Sequence, residues 1–464
     1  ISSDKINYEE VYRFKNEPKF IDNAYRWDIE EIVKNIIIGI KKALSENENI
    51  SSIGVDTWGV DYVLMDHNDD LVEIPYAYRD SRTEGMMDLW KKNYMTAEST
   101  FKKTGINFYP FNTLFQLMAS KDSDSLKKSK TFLFLPNYIY FLLTGIKFNE
   151  LTISSTSQLL DVHSMELNDE IIQQINFKKK LFAPVMKPGK IVGKLNHPDL
   201  KDHNVQAITV CSHDTASAVA AIPAESTDYI YLSAGTWCII GMESTEPLLS
   251  NDALKMGFTN ERGINNTYRI LKNIVGLWII QGIKKQLAAD IDFPELEKMA
   301  QKEETPLLID PEDELFYNPD NMIAAMDLYF EKTSQNRPGS IGEYIKCAYN
   351  SLSLSYTYHL DKLEEMTNKK FSSIHIIGGG TKSKMFCQSI ADYINKPVHA
   401  GPVECTALGN IVVQGIAFNK IDSISEGRKL IKRSYPYKTY NSSIEIQTRN
   451  NQYQKFIKLK ETTS

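Results

Sequence analysis

The sequence predicts an α/β protein with two domains around a central cleft. Three observations support this prediction. Helical and strand-like apolar segments alternate, polar or glycine-rich segments follow the buried strands, and one polar segment interrupts the pattern near the middle of the chain. The chain has 464 residues, enough for two or three domains, and 42% of them are hydrophobic. We therefore expect substantial cores and a ligand site between two domains.

Composition argues against several classes of function. The formal net charge of −6 leaves no basic surface typical of proteins that bind nucleic acid or anionic membranes. The five cysteines include no Cys-x-x-Cys pair, so neither a disulfide framework nor a zinc site is expected. Their use instead predicts a reducing, cytoplasmic location. The apolar run at 36–40 is too short to span a bilayer, and no signal peptide is expected before it.

The first half of the chain combines one clear helix with several short strands. Asp28 is expected to cap a helix, because Glu31 follows three residues later and apolar residues recur at helical spacing as far as Leu44. Strands are predicted at 6–13, 52–56, 60–65, 71–72 and 206–210. A helix of small residues is expected to follow the last of these strands.

The polar segment 223–228 interrupts the pattern and is the predicted domain boundary, which gives domains 1–224 and 225–464. Beyond it, alternation of strand and helix patterns resumes, and the C-terminal tail is expected to be loosely structured. The predicted elements are strands at 229–233, 238–242 and 374–377, a long helix at 341–366, and helices from Ser383 and from Cys405.

His213, Asp214 and Thr215 form the strongest candidate site, because they lie where a strand ends and a helix begins. Asp214 has two interpretations from sequence. It caps the helix, or it accepts a proton from a substrate hydroxyl. Taken alone, helix capping is the more common role, and His213 alone would be an ordinary polar residue.

Two glycine segments are candidates for binding phosphate. Thr236 follows Gly235 between two strands, and three glycines at 378–380 follow a buried strand. Glycines allow backbone N–H groups to approach phosphate oxygens closely. Neither segment has the Gly-Lys-Ser/Thr order of a Walker A loop, and ordinary tight turns explain each segment equally well.

A third group of candidates is polar and flanks apolar segments. The run Asp-Thr-Trp-Gly-Val-Asp at 56–61 includes Gly59 and follows a buried strand, so it is suited to line a sugar site or to form a bulged strand end. Lys272, Asn273 and Gln281 flank an apolar helix expected around 276–278, where solvent-facing helix positions are the simplest interpretation.

Taken in order, these motifs resemble the rhamnulokinases, within the FGGY carbohydrate kinases. The runs Asp-Thr-Trp-Gly-Val-Asp and His-Asp-Thr-Ala-Ser-Ala, at 56–61 and 213–218, narrow the resemblance to that group. The likeness covers nearly the whole chain, and the matching stretches are 52–61, 77–83, 104–106, 110–114, 212–218, 231–237, 272–278, 378–380 and 409–411.

The resemblance implies two ribonuclease H-like domains of the actin-like ATPase type, with ATP and Mg²⁺ as cofactors and L-rhamnulose phosphorylated at O1. It makes Asp214 the general base and names no metal ligand. The residues implied to contact the ketose are Gly59, His213, Thr215 and Asn273. The residues implied to contact ATP are Thr236, Gln281 and Gly379. The partners implied are small molecules, with the chain a monomer or a weak homo-oligomer.

One departure from the family concerns its first strand, which carries an acidic residue and a phosphate loop. The sequence as given is expected to begin beyond that strand, with Ile1 near the second or third strand. Real loss of the loop would weaken catalysis. Three alternatives remain open: a kinase for fuculose or xylulose, a non-catalytic sugar- or nucleotide-binding regulator, and an actin-like ATPase acting on protein partners.

Overall fold

A computed structural model describes residues 1–2, 4–47 and 49–463. The chain divides into two compact units. Unit 1 comprises Ile1–Pro223, Glu243–Ile270 and Thr406–Ser434. Unit 2 comprises Ala224–Met242, Leu271–Cys405 and Tyr435–Ser464.

Both units are mixed α/β. The strands, in chain order, are β1 (Lys19–Ile21), β2 (Ala24–Arg26), β3 (Ser52–Ile53), β4 (Tyr62–Met65), β5 (Thr131–Phe134), β6 (Asn149–Glu150), β7 (Val185–Met186), β8 (Ile191–Lys194), β9 (Gln206–Ile208), β10 (Tyr229–Ala234), β11 (Trp237–Ser244), β12 (Thr259–Arg262), β13 (Tyr268–Val275), β14 (Ser373–Ile377), β15 (Val398–Ala400) and β16 (Lys438–Tyr440). The α-helices are α1 (Ile29–Glu46), α2 (Met86–Asn93), α3 (Ala97–Thr104), α4 (Thr113–Ser120), α5 (Asp124–Lys128), α6 (Leu135–Thr144), α7 (Leu151–Ser154), α8 (Asp169–Gln174), α9 (Asp214–Ala220), α10 (Asn251–Lys255), α11 (Trp278–Leu287), α12 (Phe293–Gln301), α13 (Met322–Lys332), α14 (Ile341–Thr367), α15 (Lys384–Ile394), α16 (Cys405–Ala417), α17 (Ile424–Ser434) and α18 (Ile446–Thr463).

Helix α1 confirms the predicted start signal. Asp28 is its N-cap, and its Oδ1 accepts a hydrogen bond from the Glu31 N–H at 3.1 Å. The apolar face of the helix packs into a core that it shares with β4 and β5. The buried members of this core are Trp27, Ile29, Ile32, Val63, Met65, Ala77, Leu133, Leu135, Tyr138 and Ala183. The helical spacing of the isoleucines therefore has a direct cause in burial.

The candidate site residues of unit 1 follow two strands of a small sheet. Its strand order is β3-β9-β8, and β3 pairs with β9 in parallel, with Ser52 opposite Gln206. Both strands are shorter than predicted, ending at Ile53 and Ile208. Extended pairing resumes farther along, where Thr57 forms a parallel bridge with His213. The chain that follows β3 therefore runs beside the segment that leads from β9 into α9.

Asp61 is fully buried and organises the interior rather than lining a ligand site. Its Oδ2 accepts hydrogen bonds from the indole N–H groups of Trp27 and Trp58, at 2.6 and 2.8 Å. Its Oδ1 accepts one from Gln116 Nε2 at 3.2 Å. Burial raises the pKa of Asp61 to about 6, against these hydrogen bonds, which lower it. The acidic residue at the end of the predicted 56–61 segment is thus structural.

Unit 2 is organised by a larger sheet in which β13, β11, β10, β14, β15 and β16 lie side by side. Strand β10 is antiparallel to β11 and parallel to β14, with Tyr231 opposite both Gly241 and His375. Helix α14 packs against α12 and α15 on this sheet. The strand–turn–strand predicted around Gly235 and the strand before the three glycines thus become neighbours.

Several sequence predictions are wrong. Residues 6–13 form no strand, and the Ile6 N–H instead donates to the Ser434 side chain. At 71–72 the structure has only an isolated bridge, from Leu71 to Met65. Lys272 and Asn273 lie on strand β13, because the helix begins only at Trp278.

The C-terminal tail is also more ordered than predicted, since it forms helix α18. This helix contributes Phe456 to a core cluster in unit 2. Lys460 forms ion pairs with Asp310 and Glu312, both at 2.9 Å. A polar sequence with one buried aromatic residue carries too weak an apolar pattern to predict such a helix.

The predicted division into 1–224 and 225–464 stays a prediction about domains. The first change of unit falls at Pro223, and the two later segments 243–270 and 406–434 belong to unit 1.

Among the described residues, no helix is both long and apolar enough to cross a membrane. Cys211, Cys238 and Cys347 are buried free thiols.

Candidate active site

The backbone of unit 1 fixes the segment that carries Asp214. The Thr57 N–H donates to the Ser212 carbonyl, and the Asp214 N–H donates to the Thr57 carbonyl, both at 2.9 Å. Gly59 consequently lies against the ring of His213, where an added Cβ would be 3.4 Å from Nε2. The structure therefore brings Gly59, His213, Asp214 and Thr215 together in unit 1.

Asp214 is the first residue of α9, and 46% of its side chain is exposed. Its Oδ1 accepts hydrogen bonds from the N–H and the hydroxyl of Thr215, at 2.5 and 3.0 Å. The N-cap residue is His213, whose side chain makes no capping bond. One carboxylate oxygen of Asp214 thus contacts the helix start, and no described residue donates a hydrogen bond to the other.

A buried ion pair orients the His213 ring. Glu261 Oε2 lies 3.1 Å from His213 Nδ1 and 2.7 Å from the Arg269 guanidinium, which also lies 3.0 Å from Nδ1. Burial would raise the pKa of Glu261, but Arg269 and His213 outweigh burial and lower it to about 2. Glu261 is therefore ionised, and the His213 Nε2 is left 3.6 Å from Asp214 Oδ1.

Glu150 holds the same segment from within the core. This fully buried carboxylate accepts hydrogen bonds from the N–H groups of Thr152, Ile153 and Ser212, at 2.9, 3.1 and 3.1 Å. The Thr152 hydroxyl accepts one from the His213 N–H at 3.2 Å. Burial raises the pKa of Glu150 to about 7, although these hydrogen bonds lower it.

Sequence reasoning missed Glu150, Glu261 and Arg269. Each lies on a strand whose neighbouring residues are largely buried. A charged side chain inside an apolar strand pattern requires a buried partner, because burial of an unpaired charge is costly. That signal is present in the sequence, but it does not indicate which charges pair.

Unit 2 contains a cavity of about 880 Å³ formed around its glycine segments. Thr236, Gln281 and Gly379, the three residues predicted to contact ATP, all line this cavity. The Thr236 hydroxyl donates to Gln281 Oε1 at 3.3 Å. Lys382 and Lys384 also line the cavity and supply positive charge. The structure therefore brings together all three predicted nucleotide contacts.

Close backbone packing explains the glycines around this cavity. Gly378 has a φ of +83°, a conformation that favours glycine. An added Cβ on Gly380 would lie 2.5 Å from the Ala234 Cβ, and one on Gly276 would lie 2.7 Å from the Gly235 carbonyl oxygen. An added Cβ on Gly379, in contrast, would meet nothing within 4 Å. The Cβ position of Gly379 thus faces open space.

Two predicted positions lie outside this cavity lining. Asn273 is half-buried on β13, and it is not among the residues that line the cavity. Lys272 is not solvent-facing, because its Nζ lies 2.8 Å from Glu312 Oε1 in a largely buried ion pair. His359 Nε2 is 3.0 Å from the other oxygen of Glu312. The helical placement predicted for Lys272 therefore also gave it the wrong environment.

Unit 1 thus carries a half-exposed carboxylate beside a histidine, and unit 2 contains a glycine-lined cavity. Models of the FGGY family of carbohydrate kinases match both halves of the chain, the N-terminal domain at residues 9–221 and the C-terminal domain at residues 230–418. The chain belongs to this family.

Full-length relatives place the chain more narrowly, with the rhamnulokinases. It is 39% identical to the rhamnulokinase of Oceanobacillus iheyensis, over 95% of this chain and 94% of the relative. It is 38% identical to the rhamnulokinase of Bacillus subtilis, over 95% of this chain and 91% of the relative. Among solved structures, Plasmodium falciparum glycerol kinase with ADP has the same fold, with a TM-score of 0.81 at 17% identity, over 97% of this chain and 92% of that one.

The raised pKa of Glu150 predicts how the stability of unit 1 depends on pH. An unfolded glutamate loses its proton near pH 4.5, whereas folded Glu150 keeps it to about pH 7. The folded state therefore binds more protons between these values, and the stability linked to Glu150 falls as pH rises through 7. From pH 5 to pH 8, the wild type should lose about 1–3 kcal/mol more unfolding free energy than Glu150→Gln.

This difference can be measured by urea unfolding at several pH values. Backbone amide hydrogen exchange in peptides from 206–221 serves as the readout. The exposed Glu84 provides a matched control, and Glu84→Gln should retain the pH slope of the wild type. Equal slopes for the wild type and Glu150→Gln would show that Glu150 ionises normally in the folded protein.

Proposed function

We propose that this chain transfers the γ-phosphoryl group of MgATP to O1 of L-rhamnulose, giving L-rhamnulose 1-phosphate and ADP. The proposal is supported by full-length relatives that are rhamnulokinases at 36–39% identity. The single observation that carries the chemistry is the placement of Asp214, half-exposed beside His213 and Gly59 in unit 1.

In this proposal Asp214 is the general base. The O1 hydroxyl of the sugar gives its proton to the Asp214 carboxylate, and the O1 oxygen forms a bond to the γ-phosphorus. The bond between the γ-phosphorus and the bridging β,γ-oxygen breaks, and that oxygen leaves on ADP. The N–H and hydroxyl of Thr215 both donate to Oδ1 of Asp214, so Oδ2 is the oxygen available to accept the proton.

Sugar recognition is assigned to Gly59, His213, Thr215 and Asn273. An added Cβ on Gly59 would lie 3.4 Å from His213 Nε2, so a side chain at this position would crowd the histidine nitrogen that we assign to the sugar. Glu261 and Arg269 bind Nδ1 of the histidine and so fix the direction of Nε2. A site that hydrogen-bonds particular hydroxyls discriminates strongly against epimers, because a wrong epimer leaves buried polar groups unpaired.

ATP is assigned to the cavity of unit 2, with contacts from Thr236, Gln281 and Gly379. Mg²⁺ enters as part of the co-substrate, bound to the nucleotide phosphates. Among the described residues, no group of three or more histidine, cysteine or acidic side chains is arranged to hold a metal ion. Phosphoryl transfer then depends on positioning, the base and charge neutralisation.

A cytoplasmic location and a monomeric or weakly associated state complete the proposal. The free thiols at Cys211, Cys238 and Cys347 favour a reducing compartment.

Fuculose and xylulose are the competing ketoses, and a panel of ketoses assayed for ADP release separates them from L-rhamnulose.

Gly379 tests the nucleotide assignment. Its Cβ position faces open space, so Gly379→Val should fold normally but place two methyl groups where ATP binds. We expect at least a tenfold loss of MgADP affinity, about 1.4 kcal/mol, by isothermal titration calorimetry. Gly339→Val is the matched control, since an added Cβ there makes an ordinary 3.6 Å contact. Unchanged affinity in Gly379→Val would place the nucleotide elsewhere.

Asp214→Asn tests the base. The variant should retain its fold and its affinity for MgADP, while kcat with L-rhamnulose falls about 10²- to 10⁴-fold, because the amide cannot accept the O1 proton. The assay is sugar-dependent ADP release, coupled to NADH oxidation. Asp252→Asn, at an exposed position in the same unit, is the control and should match the wild type. Undiminished turnover by Asp214→Asn would contradict the assignment, and ADP release without sugar would indicate an ATPase instead.

A further inference from the structure

The two ring nitrogens of His213 lie in different surroundings. Nδ1 faces buried charges, with Glu261 Oε2 at 3.1 Å and Arg269 Nη2 at 3.0 Å. Only 13% of the His213 side chain and 13% of the Glu261 side chain are exposed, and the Arg269 side chain is fully buried. Water therefore competes little at Nδ1, and the neighbouring ion pair decides whether this nitrogen carries a proton.

Two neighbouring strands hold the ion pair in place. Glu261 lies on β12 and Arg269 on β13, which are adjacent in their sheet. Arg269 Nη2 donates to Glu261 Oε2 at 2.7 Å, and Arg269 Nε donates to the Arg262 carbonyl at 3.1 Å. The guanidinium is thus bound both by the backbone of β12 and by the carboxylate, so the position of Nη2 is fixed.

Two arrangements of hydrogen atoms are possible at Nδ1 of His213. In the first, Nδ1 carries a proton and donates it to Glu261 Oε2. In the second, Nδ1 is bare and accepts a hydrogen bond from Arg269 Nη2. The three atoms form a nearly equilateral triangle with sides of 2.7, 3.0 and 3.1 Å. Seen from Nη2, the other two atoms are roughly 65° apart, whereas the N–H bonds of one guanidinium nitrogen diverge by about 120°, so Nη2 cannot make two straight hydrogen bonds.

The Glu261 carboxylate favours the first arrangement. In the second arrangement, the lone pair of a bare Nδ1 would face a charged oxygen at 3.1 Å with no hydrogen between the two atoms. In the first, the same separation is a charge-assisted hydrogen bond, and Arg269 keeps its shorter bond to the same oxygen at 2.7 Å. A proton on Nδ1 therefore leaves no two acceptors facing each other.

The other ring nitrogen of His213, Nε2, faces the candidate site. Asp214 Oδ1 lies 3.6 Å from Nε2, which is too long for a hydrogen bond, and this oxygen already accepts two hydrogen bonds from Thr215. Among the described residues, none donates a hydrogen bond to Nε2. A neutral ring with its proton on Nδ1 thus presents a bare nitrogen beside the Asp214 carboxylate, and both groups accept hydrogen bonds.

We propose that Glu261 is a specificity-determining positioning residue that keeps the ring proton of His213 on Nδ1. Nε2 is then an acceptor, and the ketose must present a hydroxyl group to it, because a carbonyl oxygen cannot donate a hydrogen bond. This proposal rests on the proposed contact between His213 and the ketose. Glu261 acts through the histidine and needs no contact with the sugar, and Arg269 holds the carboxylate in place.

Nuclear magnetic resonance of the imidazole nitrogens provides the test. A protonated ring nitrogen and a bare one differ strongly in ¹⁵N chemical shift, so protein labelled with ¹⁵N in its histidines reports the tautomer. His213→Gln identifies the signals of His213 among those of the eight histidines. At pH 8 and without ligands, the wild type should show a protonated Nδ1 and a bare Nε2. A proton on Nε2, or on both nitrogens, would contradict the inference.

Glu261→Met removes the carboxylate at a similar side-chain length. Arg269 can then donate to a bare Nδ1, so the proton should move to Nε2. KM for L-rhamnulose should rise about tenfold or more, with KM for ATP unchanged, because the sugar hydroxyl would meet a donor instead of an acceptor. Glu84→Met, at an exposed position in the same unit, is the control and should keep the wild-type tautomer and both KM values. A purely structural role would lower the unfolding midpoint and leave the tautomer in place.

Arg269→Lys provides a second variant, which decides the question together with the wild-type spectrum if Glu261→Met does not fold. It keeps the positive charge and leaves Glu261 beside Nδ1, but it removes the guanidinium. The proton should therefore stay on Nδ1, even if the unfolding midpoint falls. A proton that moves to Nε2 in this variant would show that Glu261 does not determine the tautomer.

The outcomes separate this inference from the proposed function, because the tautomer is measured without sugar or ATP. If the wild type phosphorylates L-rhamnulose with its proton on Nε2, only the role of Glu261 is wrong. The same conclusion follows if Glu261→Met moves the proton but leaves KM for L-rhamnulose unchanged. If the wild type phosphorylates no ketose, the proposed function is wrong, and the recognition of a ketose hydroxyl is wrong with it.

Discussion

Two backbone hydrogen bonds between Thr57 and the segment 212–214 hold the candidate active site of unit 1 together. They continue the parallel pairing of β3 and β9 beyond the ends of those strands, and they place Asp214 at a fixed position relative to Gly59. Because a carboxylate at a strand end is common, its chemical value depends on this fixed placement. A general base must lie within hydrogen-bond reach of one particular proton, and small displacements are costly to the rate.

Buried charges reinforce this backbone arrangement from three directions. Glu150 accepts the Ser212 N–H from the core, Glu261 fixes the His213 ring, and Asn410 fixes Asp56. Such groups contribute little net stability, since desolvation offsets much of their attraction. They do specify one arrangement of the polar segment, because any other arrangement would leave a buried charge without its partners. Unit 1 thus bears a stability cost at neutral pH for a defined site.

Much of this structure could be predicted from the sequence, for identifiable reasons. The start of α1 at Asp28 and the full length of α14 follow from local signals, namely a capping residue and sustained apolar spacing. The strands on either side of Gly235 follow from apolar runs interrupted by small residues. The candidate segments came from strand-end and glycine patterns, and the roles of their residues came from the resemblance to a family. The structure groups most of these residues within each unit.

The remaining features depend on contacts between residues that are distant in sequence. Glu261 and Arg269 acquire their roles through His213, and Asn410 through Asp56, partners that lie far away in the sequence. The helix of the C-terminal tail has a polar sequence with few apolar positions, and residues 6–13 have strand-like composition but form no strand. Local patterns predict elements, whereas pairing decides which of them form and which charges are tolerated inside.

The central claim is that the Asp214 carboxylate accepts the proton of the sugar O1. A crystal structure with L-rhamnulose and a non-hydrolysable ATP analogue tests it most directly, through the distance from O1 to the nearer Asp214 carboxylate oxygen. We expect a hydrogen bond of about 2.6–3.2 Å. A sugar bound with O1 out of reach of Asp214, or with another hydroxyl in its place, would contradict the account.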